Sequence, residues 1–449
     1  MIQADVVIIG GSATGLVAGL TVKSNFPDKE VVLIRKEEKV MIPCGIPYIF
    51  GTVGTSDNNI LPDEGLKNLG VKIVVAEVTT VDPLNKTCTT NIGEVYSYDK
   101  LIFGTGSVPI IPDWLRGAQL GHVYTIPKGK PYLDQLQHKL ADAKKVAVIG
   151  AGFIGVEISD ELCKIGKDVT LVEIQPHVLG QTFDDEFAVE AENLLRNRGV
   201  KIITGIGVEE LIGHIEVSQI RLSDGTDLDV DAVILAMGYR PANELAQSIG
   251  LELNQYGFIK ADQYRRTSVK DIFAAGDCAE KVDFATGKLS RIMLASTACT
   301  EGRIAGLNLY GLDTFSTFKG TVGIYFTFIG DTGFGAAGLT EKQAGLEGFN
   351  IVAATFKGID RHPGKISDAH TQSVKLIVSR KSGVILGGAA IGGKSTGELV
   401  NVIGLAIQNH MTINDLLVTQ IGTHPMLTAS PAGYPLIKSA EIAARKMQE

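Results

Sequence analysis

The feature that most constrains this chain is a pair of glycine-rich turns, Gly10-Gly11-Ser12-Ala13-Thr14-Gly15 and Gly150-Ala151-Gly152-Phe153-Ile154-Gly155. Each follows an apolar run suited to a buried strand, Asp5 to Ile9 and Val146 to Ile149, and each opens a helix rich in small residues. Glycine at such a turn lets the backbone approach a pyrophosphate, whose charge is met by N–H groups at the helix N-terminus. A single GxGxxG pattern is weak evidence, but two of them, each between strand and helix, predict two dinucleotide sites. The binding positions read from the turns are Gly10, Ser12, Ala13 and Gly15 in the first, and Gly150, Gly152, Ile154 and Gly155 in the second.

With 449 residues the chain exceeds one ordinary core, and 45% apolar with 20% charged residues is a globular composition. Several domains are therefore expected. A formal charge of −8 without a long Lys/Arg block argues against a nucleic-acid or anionic membrane surface, and the apolar runs are too short to span a bilayer. The first residues enter a strand without the basic, apolar and small-residue succession of a secretory signal, so none is expected. Five cysteines (44, 88, 163, 278 and 299) are scattered, odd in number and without metal-ligand spacing. Neither a disulfide framework nor a metal site is expected, and a reducing cytoplasm is the expected compartment.

Apolar runs at Val31 to Ile34, Lys72 to Val75 and Leu101 to Phe103 extend the first unit, and the second runs from Lys145 to Leu171-Val172-Glu173. Glu173 stands about 20 residues beyond the second turn, where a carboxylate accepts the ribose hydroxyls of NADH and repels the 2′-phosphate of NADPH. NADPH is thus disfavoured; the alternative for Glu173 is an ordinary strand-end glutamate. Asp231 to Gly238 closes the second unit, and Ile272 to Cys278 reads as a strand returning to the first sheet before a glycine turn and Asp277. Beyond Thr321, β-type segments and a helix from Gly397 to about Asn409 predict an α+β domain. The expected division is 1–115 with 245–320, then 116–244, then 321–449.

Together with Tyr98 to Ser107, Glu157, Met237-Gly238-Tyr239-Arg240-Pro241 and Ala275-Gly276-Asp277, these turns resemble the flavin-dependent pyridine nucleotide–disulfide oxidoreductases along essentially the whole chain. The resemblance implies an α/β fold of two Rossmann-like, glutathione-reductase-like domains for FAD and NADH, plus a C-terminal α+β dimerisation domain. It also implies a homodimer whose active sites are each completed by the partner's C-terminal domain. Thr105, Gly106, Gly238, Gly276 and Asp277 join the cofactor-binding set, with Asp277 facing the flavin ribityl chain. Arg35 stands where the family places an acidic ribose ligand; Arg35 or Lys36 would contact adenine or phosphate, or else be solvent-exposed.

Pro43-Cys44-Gly45-Ile46-Pro47-Tyr48 has one cysteine where glutathione-reductase-like members have Cys-x-x-x-x-Cys. It resembles the single-cysteine branch: coenzyme A disulfide reductases, NAD(P)H persulfide and sulfur reductases, and NADH oxidases. A thiol between Pro43 and Gly45, ahead of a helix, is expected near a dipole that lowers its pKa; the alternative is a packing cysteine. The other four cysteines are read as packing residues. The tyrosines of coenzyme A disulfide reductases are replaced by Arg361-His362-Pro363-Gly364 and Thr423-His424-Pro425, with Tyr434 nearby, and only Lys23 could meet CoA phosphates. CoA is the further candidate ligand. His424 of the partner is the candidate acid/base, against a structural histidine, with His362 ranked below it.

The expected activity is NADH-dependent reduction of a low-molecular-weight persulfide or disulfide through Cys44. A rival is an NADH oxidase cycling Cys44 through a sulfenic acid, although the water-forming members carry a histidine in the first glycine loop and Gly10 to Gly15 has none. A second rival is a flavoprotein with a mainly binding or redox-signalling role.

Overall fold

The computed structural model describes residues 1–362 and 365–449. The strand Val6–Ile9 is buried along its whole length because it lies at the centre of a parallel sheet covered on both faces. The sheet order is Ile272–Ala274, Lys100–Phe103, Val6–Ile9, Val31–Arg35 and Lys72–Val75. The helices Ala13–Asn25 and Ala295–Leu307 pack together on one face, where Val6, Ile8, Ala18 and Ala305 share a core. On the other face lies a smaller sheet contributing Val81, Cys88 and Tyr96. The strand Ile272–Ala274 returns from far along the chain to pair with Leu101–Phe103, so the first unit is discontinuous in sequence.

The second unit repeats the plan. Its parallel order is Val123–Thr125, Ala232–Leu235, Lys145–Ile149, Asp168–Glu173 and Lys201–Thr204, with the helix Phe153–Lys164 following the second glycine turn. The two units are stitched by a short antiparallel ribbon in which Ser107–Pro109 pairs with Tyr239–Pro241. The third unit is an antiparallel sheet ordered Ile324–Ile329, Thr332–Gly338, Ile385–Gly392, Thr371–Ser379 and Ile351–Ile359. The helices Thr396–Gln408 and Pro435–Gln448 pack on it through Val400, Ile403, Leu436 and Ala440. The helix expected from Gly397 is displaced by one residue at each end.

The segment around Cys44 departs from expectation. In place of a helix beginning after the cysteine, the chain makes three short 3-10 turns, Pro43–Gly45, Pro47–Phe50 and Ser56–Asn59. Pro43 and Pro47 each lack an N–H and fix φ, which favours separate tight turns over a continuous ladder. The segment also leaves its own sheet. Met41, Ile46, Ile49 and Phe50 are buried in one cluster with Leu133, Val156, Ile158 and Leu162 of the second unit and Ile329 and Phe334 of the third.

The second and third units are further clasped by Lys375, only 2% exposed, whose ammonium meets Asp184 at 2.9 Å, Glu186 at 2.6 Å and also Glu341. Those three carboxylates are close enough to one another to hold a cation, and the lysine fills that role. Burial pulls its pKa down, but the hydrogen bonds it donates to Glu186, Glu341 and Asp184 outweigh that and raise it. Lys375→Met would leave the carboxylates facing one another without a counter-charge. It is expected to lower stability by about 1–2 kcal/mol, less than the loss of a fully buried pair because Glu186 and Glu341 are half exposed, read as a fall in the thermal unfolding midpoint of the purified protein.

Candidate active site

Both glycine turns are built as close-contact cradles. A Cβ on Gly10 would overlap the Gly104 carbonyl, and one on Gly15 would overlap the carbonyl of Gly10; Gly150 and Gly155 stand in the same relation to Ala236 and Gly150. Gly10 and Gly150 also have φ of +107° and +100°, which side chains resist. Gly152, by contrast, faces open space, as it must if a ligand is to come against the backbone there. Neither following helix has an acidic residue in its first turn, and neither Ser12 nor Gly152 supplies a side-chain cap. The first N–H groups are thus available to an anion, and the residues fit the diphosphate of a dinucleotide in both units.

Glu173 ends its strand with the carboxylate against the second turn: Oε2 accepts from the Ala151 N–H at 2.6 Å and Oε1 from the Gln175 N–H at 2.8 Å. Ile154 packs at the edge of the mixed core. Gly106, Gly238 and Gly276 all have positive φ, and Thr105 donates to the Ala242 carbonyl at 2.6 Å, tying the crossing between units. Arg35 is neither exposed nor free. It is 4% exposed, grips Asp63 with both terminal nitrogens at 2.6 and 2.7 Å, donates to the Glu37 and Glu38 carbonyls, and lies against Gly11. Lys36 is exposed and paired with Glu77 at 2.6 Å. Lys23 donates to the Pro27 and Lys29 carbonyls, so the one basic residue noted for CoA phosphates is committed locally.

Asp277 accepts from Ser107 at 2.8 Å and from the Lys128 ammonium at 2.9 Å, and Lys128 also reaches Ser107 at 3.0 Å. Burial works to raise the Asp277 pKa, yet Lys128 and Ser107 prevail and hold it below the usual carboxylate range. Lys128 escaped the sequence reading because it sits in the proline- and glycine-rich connection, with no periodic pattern to mark it. The same lysine bears on Cys44. Cys44 is an exposed residue, yet its thiol pKa is raised, by surrounding protein first, then by Glu157, with Lys128 opposing and Asp277 adding. The expected lowering is therefore corrected. A three-residue 3-10 turn supplies no aligned dipole, and the neighbouring carboxylates outweigh one lysine.

The other cysteines are free as well: Cys88 and Cys278 are buried, and Cys163 and Cys299 half-buried. The helix Phe153–Lys164 carries Glu157, named in the sequence with the second turn, on a face whose second glutamate and partners were not anticipated. Glu157 accepts from Thr327 at 2.9 Å, and its carboxyl pKa is raised to about 8, by burial first, against the influence of Thr327 and Tyr48. One turn on, Glu161 accepts from both the N–H and, at 2.6 Å, the hydroxyl of Thr52. The i, i+4 spacing of Glu157 and Glu161 on one helix face was the available signal. Phe153 stacks on Tyr325, with ring centroids 5.4 Å apart.

His424 is exposed, its Nδ1 accepting from the Met426 N–H at 3.2 Å, and lies beside exposed Pro425, Met426 and Leu427. His362 adjoins the same segment, with its N–H donating to the Pro425 carbonyl and its ring near the Thr428 carbonyl. The two histidines thus converge on one face of the third unit, while Tyr434 packs against that unit's own core. Pro363 and Gly364, named with His362 in the sequence, fall outside the described residues.

Two nucleotide cradles, an aspartate on the first and a sheet-and-helix third unit define a pyridine-nucleotide flavoprotein. The chain belongs to the pyridine nucleotide-disulphide oxidoreductase family: residues 4–302 match that family and residues 325–432 match its dimerisation domain. It is therefore an enzyme of the FAD- and NAD(P)H-dependent class, and a mainly binding role is set aside. A protein of Methanocaldococcus jannaschii named NADH oxidase is 31% identical, covering 98% of this chain and 99% of its own. A Pyrococcus furiosus protein named NAD(P)H sulfur oxidoreductase (CoA-dependent) is 30% identical, with 98% and 99% covered. The structure of an NAD-dependent persulfide reductase from A. fulgidus superposes with a TM-score of 0.91 at 29% identity, covering 99% of this chain and 84% of that one. No helix of the described residues is long and apolar enough to cross a membrane.

Lys128→Met would leave Asp277 buried with Ser107 as its remaining partner. The flavin-free variant is expected to lose about 1–3 kcal/mol near neutral pH, where the wild-type carboxylate is paired. The deficit should shrink as acid protonates Asp277 and removes the wild-type ion pair, so the pH dependence of urea unfolding checks both sign and cause.

Proposed function

We propose that the chain is an NADH-dependent flavoprotein reductase of sulfur–sulfur bonds, taking a low-molecular-weight persulfide such as CoA persulfide ahead of CoA disulfide, with Cys44 as nucleophile. The observation that carries this reading is a free, accessible thiol in the electrostatic surroundings of Asp277 and Lys128, the groups at the first nucleotide cradle. FAD would be held by Gly10, Ser12, Ala13, Gly15, Thr105, Gly106, Gly276 and Asp277, with Lys128 and buried Arg35 supporting that set. NADH would be held by Gly150, Gly152, Ile154, Gly155, Glu173 and Gly238. Bound flavin would supply the two-electron link between NADH and sulfur, while the protein supplies placement. Cys44, as thiolate, attacks the substrate sulfur, and the departing thiolate takes a proton.

The exposed strip of His424, Met426 and Leu427, with His362 behind it, suits an isologous contact that brings the histidines of one subunit to the cleft of the other. The reading includes a homodimer with partner-supplied His424 as a proton donor and Tyr434 and His362 near it, and the dimerisation-domain match over residues 325–432 supports the dimer. The five free thiols suit a reducing cytoplasm.

Comparable likeness to proteins named NADH oxidase and to sulfur reductases, 31% and 30% identity, supports a second reading, in which oxygen is the acceptor and Cys44 cycles through a sulfenic acid. Cys44→Ser is expected to retain FAD and its reduction by NADH while losing anaerobic persulfide turnover by on the order of 10³-fold. Undiminished persulfide turnover in that variant, or NADH consumption driven by oxygen with no sulfur-dependent rate in the wild type, would sink the sulfur reading. Glu173→Ala is expected to cut kcat/KM for NADH by roughly 10- to 100-fold, the worth of one or two charge-assisted hydrogen bonds, and to leave NADPH far less affected. Steady-state kinetics with both nucleotides decides it.

A further inference from the structure

We propose that Glu301 is a positioning residue for the flavin nucleotide: braced by Arg265, its carboxylate holds the Gly276 N–H and so fixes the turn that carries Asp277. The proposal rests on the reading of Gly276 and Asp277 as flavin-binding residues. Glu301 lies in the helix Ala295–Leu307 and is 0% exposed. Its Oε2 accepts from the Gly276 N–H at 2.5 Å. Its Oε1 has no hydrogen-bond partner among the described residues, and the Arg265 Nη1 stands 3.8 Å away. A carboxylate shut off from water is costly unless it is paired and hydrogen-bonded. Here the ion pair is loose and one oxygen is unused, so a gain in stability does not account for the residue. What the carboxylate does hold is a backbone group beside the first nucleotide cradle.

Two buried cations complete the arrangement. Arg265 has φ of +69°, a conformation that residues other than glycine resist. Its Nε donates to the Ala274 carbonyl at 3.2 Å and its Nη2 to the Glu280 carbonyl at 2.8 Å. The guanidinium thus ties the strand that enters the Asp277 turn to the segment that leaves it. Lys281 works from the other side: its Nζ donates to the Gly276 carbonyl at 3.1 Å and to the Ala279 carbonyl at 2.8 Å. Gly276 is therefore gripped at its N–H and at its carbonyl by buried groups of opposite charge.

The surroundings leave this turn little freedom. A Cβ on Gly276 would come within 2.1 Å of the Thr14 hydroxyl, and one on Gly302, next to Glu301, within 2.7 Å of the Thr14 carbonyl. Thr14 belongs to the first glycine turn, so the helix of Glu301, the Asp277 turn and the cradle meet at one point. Asp277 leaves the turn toward Ser107 and Lys128. Without the Glu301 oxygen the Gly276 N–H is left buried and unpaired. Its peptide can find another acceptor only by turning, and that turning carries Asp277 with it.

The test uses the purified, full-length, FAD-loaded enzyme. FAD release on dilution is followed by flavin fluorescence, beside the melting midpoint by circular dichroism, in Glu301→Gln, Glu301→Met, the double variant Glu301→Met with Arg265→Met, and Asp277→Ala. Glu301→Gln keeps an acceptor oxygen for Gly276 but strands the Arg265 charge, so its midpoint should fall while FAD release stays within about threefold of wild type. Glu301→Met has no acceptor, and its release should quicken by on the order of 10- to 100-fold. Adding Arg265→Met removes the stranded guanidinium, which should raise the midpoint again while release stays fast. A role in stability alone would make release follow the midpoint across these variants. That result, or wild-type release in Glu301→Met, would overturn the proposal. Asp277→Ala is expected to release FAD at least as fast as Glu301→Met; wild-type release in Asp277→Ala, with Glu301→Met still fast, would overturn the flavin reading of Asp277 alone.

Discussion

Two buried glutamates on the helix Phe153–Lys164 set the relation between nucleotide site and cysteine. Glu161 takes both donors of Thr52, and Glu157 meets Tyr48 and Thr327, so one helix face grips the cysteine segment and the third unit together. Carboxylates buried this deeply persist only when hydrogen-bonded, and each of these has hydroxyl donors from another part of the chain. The N-terminus of the same helix is the second glycine turn. Whatever nucleotide settles there therefore acts on an element fastened directly to the segment that carries Cys44.

The glycine turns show why the two nucleotide units were legible in advance. Their requirement is local: a strand, a residue with positive φ, and a helix start that leaves N–H groups unpaired. The close contacts of Gly10 with Gly104 and of Gly150 with Ala236 add a long-range reason for the same residue, since each turn abuts the end of a neighbouring parallel strand. The elements on either side fall within a residue or two of where their apolar runs place them.

The cleft between the units was less legible. Arg35 read as a free cation or an exposed strand-end residue, but Asp63, distant in sequence, gathers it into a bidentate pair beneath the first turn. Cys44 read as a dipole-activated thiol; the prolines on either side break the helix that would have activated it, and burial first, then Glu157 and Asp277, push its pKa the other way. Lys128 gave no sign of itself, since a lysine in an irregular connection has no period to betray its partner. That His424 and His362 lie together on one face of the third unit rests on contacts of His362 with the Pro425 and Thr428 carbonyls that no spacing encodes.

The amino-acid sequence alone determined the class: two dinucleotide cradles, a single cysteine where a relay pair would need two, and a third domain. Those features depend on glycine conformation and on thiol count, which are properties of individual residues and their near neighbours. Only the tertiary structure decided what surrounds the cysteine. Burial and the approach of charges from remote segments govern its protonation, and a linear chain carries no record of which carboxylate will come to lie beside which thiol.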